Sequence, residues 1–309
     1  MIYQGKVRGA DDNFLALDIA DAHPDTAGAV ILPVPFEATS TFGHGSAHGP
    51  DAILSASREL ELYDTMLGGE PYRLAGGIAT LPDLDVSDVS GVDGARLSER
   101  LEAEVGRWIE AEKFVVTLGG EHSSVIGAAH AHAKRFSDLS ILHLDAHSDL
   151  RPEYQGNPWN HACAAARLLD VHSEVVQVGI RSQAAEERAI SEELGLAVFY
   201  AHTVHDHPGG DTGWIEDLLH KLRSNIYITL DCDVFDPSLI PATGTPEPGG
   251  LTWIQIDRLI RKLCRERRVV GMDVSELAPV KGLHHPQFSM AKLISRVIGN
   301  RFKALAGRS

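Results

Sequence analysis

Three short stretches carry side chains of the kind that hold metal ions: Gly119-Gly120-Glu121-His122-Ser123, Asp145-Ala146-His147-Ser148-Asp149 and Asp231-Cys232-Asp233. In the last two, the polar residues alternate with other types. An extended backbone would turn Asp145, His147 and Asp149 to a common side, and likewise Asp231 and Asp233. One such pattern alone describes a capped, solvated strand end; two of them, with His122 at a third strand end, point to a shared metal site. Asp145, Asp149, Asp231 and Asp233 would bring four negative charges together, and two divalent cations would balance them. Imidazole and carboxylate donors without thiolate suit hard or borderline ions such as Mn²⁺ better than a structural zinc. A two-metal site lowers the pKa of a shared water and yields a hydroxide nucleophile near neutral pH, so hydrolysis is the expected reaction class.

Such residues need a scaffold that brings several strand ends together. Short, apolar, β-branched runs predict strands at Ala29–Val34, Phe114–Leu118, Leu139–Asp145, Glu174–Gly179, Ala197–Tyr200, Asn225–Asp231 and Val269–Val274. Helical patterns predict Pro50–Glu61, Leu97–Glu112, Ser124–Phe136, His161–Leu169, Ala184–Leu194, Gly213–Leu222, Thr252–Cys264 and Ser289–Ile298, the first opened by Gly49-Pro50. Strands that are apolar on both faces and alternate with helices indicate an α/β fold, a mostly parallel sheet in a three-layer α/β/α sandwich. In open sheets of this kind ligands gather outside the carboxyl ends of the strands. Each metal-type stretch falls at such an end, and so does Ser275-Glu276-Leu277-Ala278-Pro279.

The chain has 309 residues and a net charge of −15, from 28 Lys+Arg against 43 Asp+Glu. With no basic run, nucleic acid and anionic membrane surfaces are disfavoured as partners, and a small, cationic ligand is favoured. No apolar stretch nears the ~20 residues of a membrane span, and Met1–Ala10 lacks the apolar core of a signal peptide. A soluble, cytoplasmic protein is expected. Cys163, Cys232 and Cys264 are far apart and form no CxxC pair, which predicts reduced core residues. No linker, repeat or low-complexity run divides the chain, so residues 1–309 are expected to form one catalytic domain.

The order and spacing of GGEHS, DAHSD, DCDVFDP and SELAP resemble the ureohydrolase family of arginase and agmatinase, over roughly Ala29 to Ile298. Glu121 stands where many members have Asp, at a position that is not a ligand. The resemblance implies an arginase-like fold, two Mn²⁺ per subunit, cleavage of a guanidino group to an amine and urea, and a homo-oligomer, trimer or hexamer. It further implies His122, Asp145, His147, Asp149, Asp231 and Asp233 as the manganese ligands, with Asp145 and Asp231 among the bridging carboxylates. His161, in Asn160-His161-Ala162, matches the proton-shuttling histidine, and Glu276 matches the acid that holds the guanidinium. Elementary chemistry agrees with both roles. A carboxylate meets a planar guanidinium through two hydrogen bonds, and a leaving amine needs a group that titrates near neutrality. Beside two cations, the Glu276 carboxyl is expected to be held below its usual pKa.

Arginase-like members carry a Ser-Gly-Asn-type stretch shortly after DAHSD, whereas here the region runs from Arg151 to Asn160 as RPEYQGNPWN. Arginine is therefore disfavoured, and the segment resembles agmatinases. Agmatine, cleaved to putrescine and urea in polyamine biosynthesis, is the expected substrate, with Glu153 available to its amine. N1-aminopropylagmatine and guanidinobutyrate are the alternatives. Of the other histidines, His130, His132 and His143 read as surface or satisfied core residues and His284 and His285 as loop residues. His44 and His48, in a glycine-rich loop, are candidate substrate contacts. The turn-rich run Thr243–Gly250 reads as a connector that could shape the pocket. A one-zinc deacetylase would need fewer ligands, and a silent binding paralogue would lack a ligand or His161; the chain has the complete set.

Overall fold

In the computed structural model, residues 5–90 and 93–307 are described; Met1 to Gln4, part of the stretch considered above for a leader, lie outside them. Eight strands form one sheet: β1 Ala29–Val34, β2 Ile78–Thr80, β3 Phe114–Gly119, β4 Leu139–Leu144, β5 Val175–Val178, β6 Ala197–Phe199, β7 Asn225–Asp231 and β8 Arg268–Ser275. Their order is β2-β1-β3-β8-β7-β4-β5-β6, and every neighbouring pair is parallel. Seven strands lie where the apolar runs place them. The additional one, β2, has only Ile78, Ala79 and Thr80, too few to show a period, and it exists through its pairing with Ala29 to Ile31 of β1.

The helices are α1 Gly49–Ser57, α2 Pro71–Leu74, α3 Gly94–Glu110, α4 Ile126–Arg135, α5 Ala164–Leu169, α6 Ala185–Glu193, α7 Ala201–His205, α8 Gly210–Lys221, α9 Trp253–Glu266 and α10 His285–Ala306. The short α2 and α7 were not foreseen. Helix α10 begins with His285 and Pro286 in its first turn and runs well past the expected Ser289–Ile298, so His285 is helical and not a loop residue. Residues on β1, β3 and β4 are buried throughout, because helices cover both faces of the sheet. Leu218 of α8, Leu259 and Leu263 of α9 and Ile294 of α10 pack on one face; Leu101 of α3, Ala128 of α4 and Leu168 of α5 pack on the other. This is the three-layer α/β/α arrangement. Among the described residues no helix is long and apolar enough to cross a membrane, and all three cysteines are buried.

The strand order has one consequence for chemistry. The chain passes from β3 to β4 across a gap that β8 and β7 later fill, so β3, β8, β7 and β4 lie side by side. GGEHS, SELAP, DCD and DAHSD thereby emerge from four adjacent strand ends.

Candidate metal centre and active site

The turn after β3 is tight. A Cβ on Gly120 would stand 2.1 Å from the Phe36 carbonyl oxygen, and Gly120 N–H and Glu121 N–H donate to the carbonyls of Val34 and Phe36. Only glycine permits that approach. The turn delivers His122 into the sheet end, where its Nδ1 lies 3.1 Å from Asp145 Oδ2, 3.1 Å from Asp149 Oδ2 and 3.5 Å from Asp231 Oδ2. A second nest adjoins it: His147 Nδ1 lies 2.9 Å from Asp233 Oδ2 and 3.7 Å from Asp145 Oδ1. Asp145 thus gives one oxygen to each nest. Backbone N–H groups hold these carboxylates in place, His147 donating to Asp145 Oδ1 at 2.6 Å, Asp233 to Asp231 Oδ1 at 2.8 Å and Ala146 to Asp233 Oδ1 at 3.0 Å. Asp149 and Glu276 both sit at left-handed φ, 52° and 61°. Such a conformation costs about 1–2 kcal/mol for a residue with a Cβ, so surrounding contacts must impose it.

The donor set fits divalent metal. His122 Nδ1, His143 Nε2 and Asp145 Oδ2 are buried without a well-formed hydrogen bond, although they face one another at about 3 Å. Burial, and then the charges of Asp233 and Asp145, push the Asp231 carboxyl well above the usual range; burial and Asp145 push Asp233 up. Against the cost of its burial, Asp233 and Asp145 raise His147 to about 10. Buried carboxylates that repel each other, with imidazoles drawn toward protonation between them, would be relieved by cations in both nests.

His143 belongs to this region, contrary to its reading as an ordinary core or surface histidine. It stacks on His122 with ring centroids 5.2 Å apart, and its Nε2 lies 3.0 Å from Asp145 Oδ2. Its tautomer follows from Gln177, whose amide nitrogen donates to the Ser148 carbonyl at 2.8 Å and so also donates to His143 Nδ1 at 3.0 Å. His143 then carries its proton on Nε2, facing Asp145, and backs that carboxylate instead of coordinating. His122 is oriented by similar logic. The Thr229 hydroxyl donates to Asp273 at 2.8 Å, so His122 Nε2–H donates to Thr229 at 3.1 Å and the Nδ1 lone pair faces the aspartates. Burial pushes the Asp273 carboxyl up to about 6, offset by the hydrogen bond from Tyr227. Thr229, Asp273 and Gln177 had no sequence signal; each acts through a partner on another element.

A cavity of about 290 Å³ opens over the cluster, with His122, Asp149 and Asp231 at its floor and His147, His161 and Glu276 around them. Asp145 and Asp233 lie behind this lining. Glu276 accepts the His122 N–H through Oε1 at 2.7 Å. Among the chain's own groups its carboxyl is pushed well above the usual range, by burial first and then by Glu121. That reverses the expected direction, which included two cations. The lining also includes Arg151, Tyr154, Gln183 and the buried Glu187, the last accepting Ala184 N–H at 2.7 Å and Leu150 N–H at 3.0 Å. Glu153 is exposed and does not line the cavity; the acidic group there is Glu187, which sequence reasoning missed because its place in the first turn of α6 reads as a helix cap.

His44 and His48 do not line the cavity either; His44 pairs with Glu37 at 3.1 Å. The run Thr243–Gly250 does shape it, through Thr245, and Arg181 ties that run to the end of β7 by donating to the Glu247 carbonyl at 2.8 Å and the Asp233 carbonyl at 2.6 Å. His130 and His132 are buried in α4 with carbonyl partners, Arg167 and Ala128.

The fold is that of the Arginase family, whose model matches residues 27–299, and the chain belongs to that family. It is a ureohydrolase, a hydrolase acting on guanidino groups. An N(1)-aminopropylagmatine ureohydrolase of Thermus thermophilus is 40% identical to it over 280 residues, covering 90% of this chain and 92% of its own. An agmatinase of Pyrococcus horikoshii is 32% identical, covering 94% and 96%. Among solved structures, the agmatine ureohydrolase of Thermoplasma volcanium superposes with a TM-score of 0.83 at 32% identity, covering 94% of this chain and 96% of that one.

Proposed function

We propose that the protein hydrolyses the guanidino group of N1-aminopropylagmatine with two Mn²⁺ ions, and agmatine less efficiently. The observation that carries the reaction is the pair of nests that share Asp145 just behind the cavity lining, next to a carboxylate, Glu276, that belongs to neither. His122, Asp145, Asp149 and Asp231 would hold one ion; Asp145, His147 and Asp233 would hold the other, with Asp231 beside both. When bound, such a pair supplies a hydroxide nucleophile near neutral pH.

The chain's own residues do the rest. Glu276, fixed by the His122 N–H, accepts guanidinium N–H bonds and orients the guanidinium carbon over the floor. His161, on the cavity wall, passes a proton to the nitrogen that leaves as the carbon–nitrogen bond breaks. Glu187 and Arg151 both line the cavity on this side, 3.8 Å apart, and Arg151 also lies 3.1 Å from the exposed Glu186. Glu187 offers a carboxylate to an amine-bearing tail, which supports amine-bearing substrates over guanidinobutyrate and arginine.

The preference between the amine-bearing tails follows the relatives: the enzyme named for N1-aminopropylagmatine is 40% identical, the agmatinase 32%. The expectation of agmatine as first substrate therefore gives way to its aminopropyl derivative. Urea release from N1-aminopropylagmatine, agmatine, guanidinobutyrate and arginine, with Mn²⁺ present, tests this. The highest kcat/KM is expected for N1-aminopropylagmatine. A higher value for agmatine would overturn the substrate, and no urea from any of them would overturn the reaction.

A further inference from the structure

We propose that Glu121 and Thr39 are positioning residues that fix the tautomer of His161 and so decide which of its nitrogens exchanges a proton with the cavity. The inference rests on the proton-shuttle reading of His161 given above. Glu121 is 0% exposed. Its Oε2 accepts the N–H groups of Ala38 at 2.7 Å, Thr39 at 2.6 Å and Ser40 at 3.2 Å. Its Oε1 accepts the hydroxyls of Thr39, at 2.7 Å, and Ser123. Each of these partners is a donor, so both oxygens act as acceptors, as those of a carboxylate do.

That commitment propagates. A threonine hydroxyl has one proton, and Thr39 gives it to Glu121. The Thr39 oxygen accepts the His161 backbone N–H at 2.9 Å and lies 3.2 Å from His161 Nδ1. With the hydroxyl proton already directed at Glu121, the ring contact can be a hydrogen bond only if Nδ1–H donates to Thr39. His161 therefore keeps a proton on Nδ1, and Nε2 is the nitrogen that takes up and gives back a proton. The same two contacts hold the ring and the turn that carries it, His161–Cys163, against residues 38–40.

The test is a set of variants of the Mn²⁺-loaded enzyme. Thr39→Val keeps the volume and removes the relay. Its kcat should fall about tenfold or more, within the about 10²–10⁴ that a whole acid–base group contributes, with KM and metal content kept. Thr39→Ser should recover most of the rate. Glu121→Gln should act like Thr39→Val: its amide nitrogen would face the Thr39 oxygen, turn the hydroxyl toward Nδ1 and impose the other tautomer. Adding Thr39→Val to His161→Ala should cost nothing more, whereas a purely structural role for Thr39 would subtract from both backgrounds equally.

Wild-type kcat in Thr39→Val, equal impairment by valine and serine, or additivity in the double variant would each overturn the relay. If Glu121→Gln does not fold, the Thr39 series decides alone. Full kcat in His161→Ala would overturn the shuttle reading and the relay with it, while a slow His161→Ala beside a normal Thr39→Val would overturn the relay only.

Discussion

Asp145 sends one oxygen toward His122 and the other toward His147, and the rest of the site is arranged around that division. Asp145, His147, Asp149, Asp231 and Asp233 stood out in the sequence through alternation at two strand ends, and His122 through its place at a third. The residues behind them did not: Gln177, Thr229, Asp273 and Thr39 are common types, and each acts through a partner distant in sequence. Glu276 was legible by position, and its proposed task is testable by Glu276→Gln, which keeps size and loses charge. A fall in kcat/KM equivalent to at least the ~1.5–3 kcal/mol of a hydrogen bond to a charged group is expected, with metal content unchanged; undiminished kcat/KM would remove Glu276 from the reaction. His132 provides a pH test away from the site. Burial lowers its pKa to about 4 from 6.5. The unfolded chain therefore binds a proton that the folded one refuses between those values, so stability is lost as pH falls from 6.5 toward 4. In denaturant titrations across that window His132→Gln should show a shallower acid loss than the wild type, by about 3 kcal/mol at most; an identical slope would contradict it.

The strands were readable because their residues are apolar on both faces, and three of the four that carry the cluster end in a polar stretch at the point where the sheet stops. β2 escaped because a three-residue strand at a sheet edge is defined by its neighbour, not by its own pattern. The turn from β3 into His122 depends on close backbone approach, so Gly120→Ala should displace the Phe36 segment or the turn itself. A loss of about 1–3 kcal/mol in chemical unfolding is expected, together with weaker Mn²⁺ retention in equilibrium dialysis, because Glu121 and His122 ride on that turn. Unaltered stability and retention would show that the turn has slack. Thr252→Ala is the matching control on the opposite kind of feature, the capping box of α9, where Thr252 accepts Gln255 N–H at 3.3 Å. It should cost about 1 kcal/mol in unfolding and leave urea release unchanged.

At the scale of the molecule, insertion of β8 and β7 between β3 and β4 turns four separated sequence stretches into one site. Reaction class was legible for that reason, since the carboxyl ends of a parallel sheet collect whatever polar residues follow its strands. The substrate tail was less so: its surroundings come from loops, and Glu187, not Glu153, lines the cavity. The net charge of −15 agrees with a cationic ligand but does not choose among amines. The central claim is that this assembled edge holds two ions which share Asp145. Anomalous X-ray scattering at the manganese absorption edge, from crystals of the Mn²⁺-loaded protein, measures this directly. Two peaks are predicted, one in contact with His122, Asp145, Asp149 and Asp231 and the other with Asp145, His147 and Asp233; a single peak, or peaks away from these residues, would contradict the account.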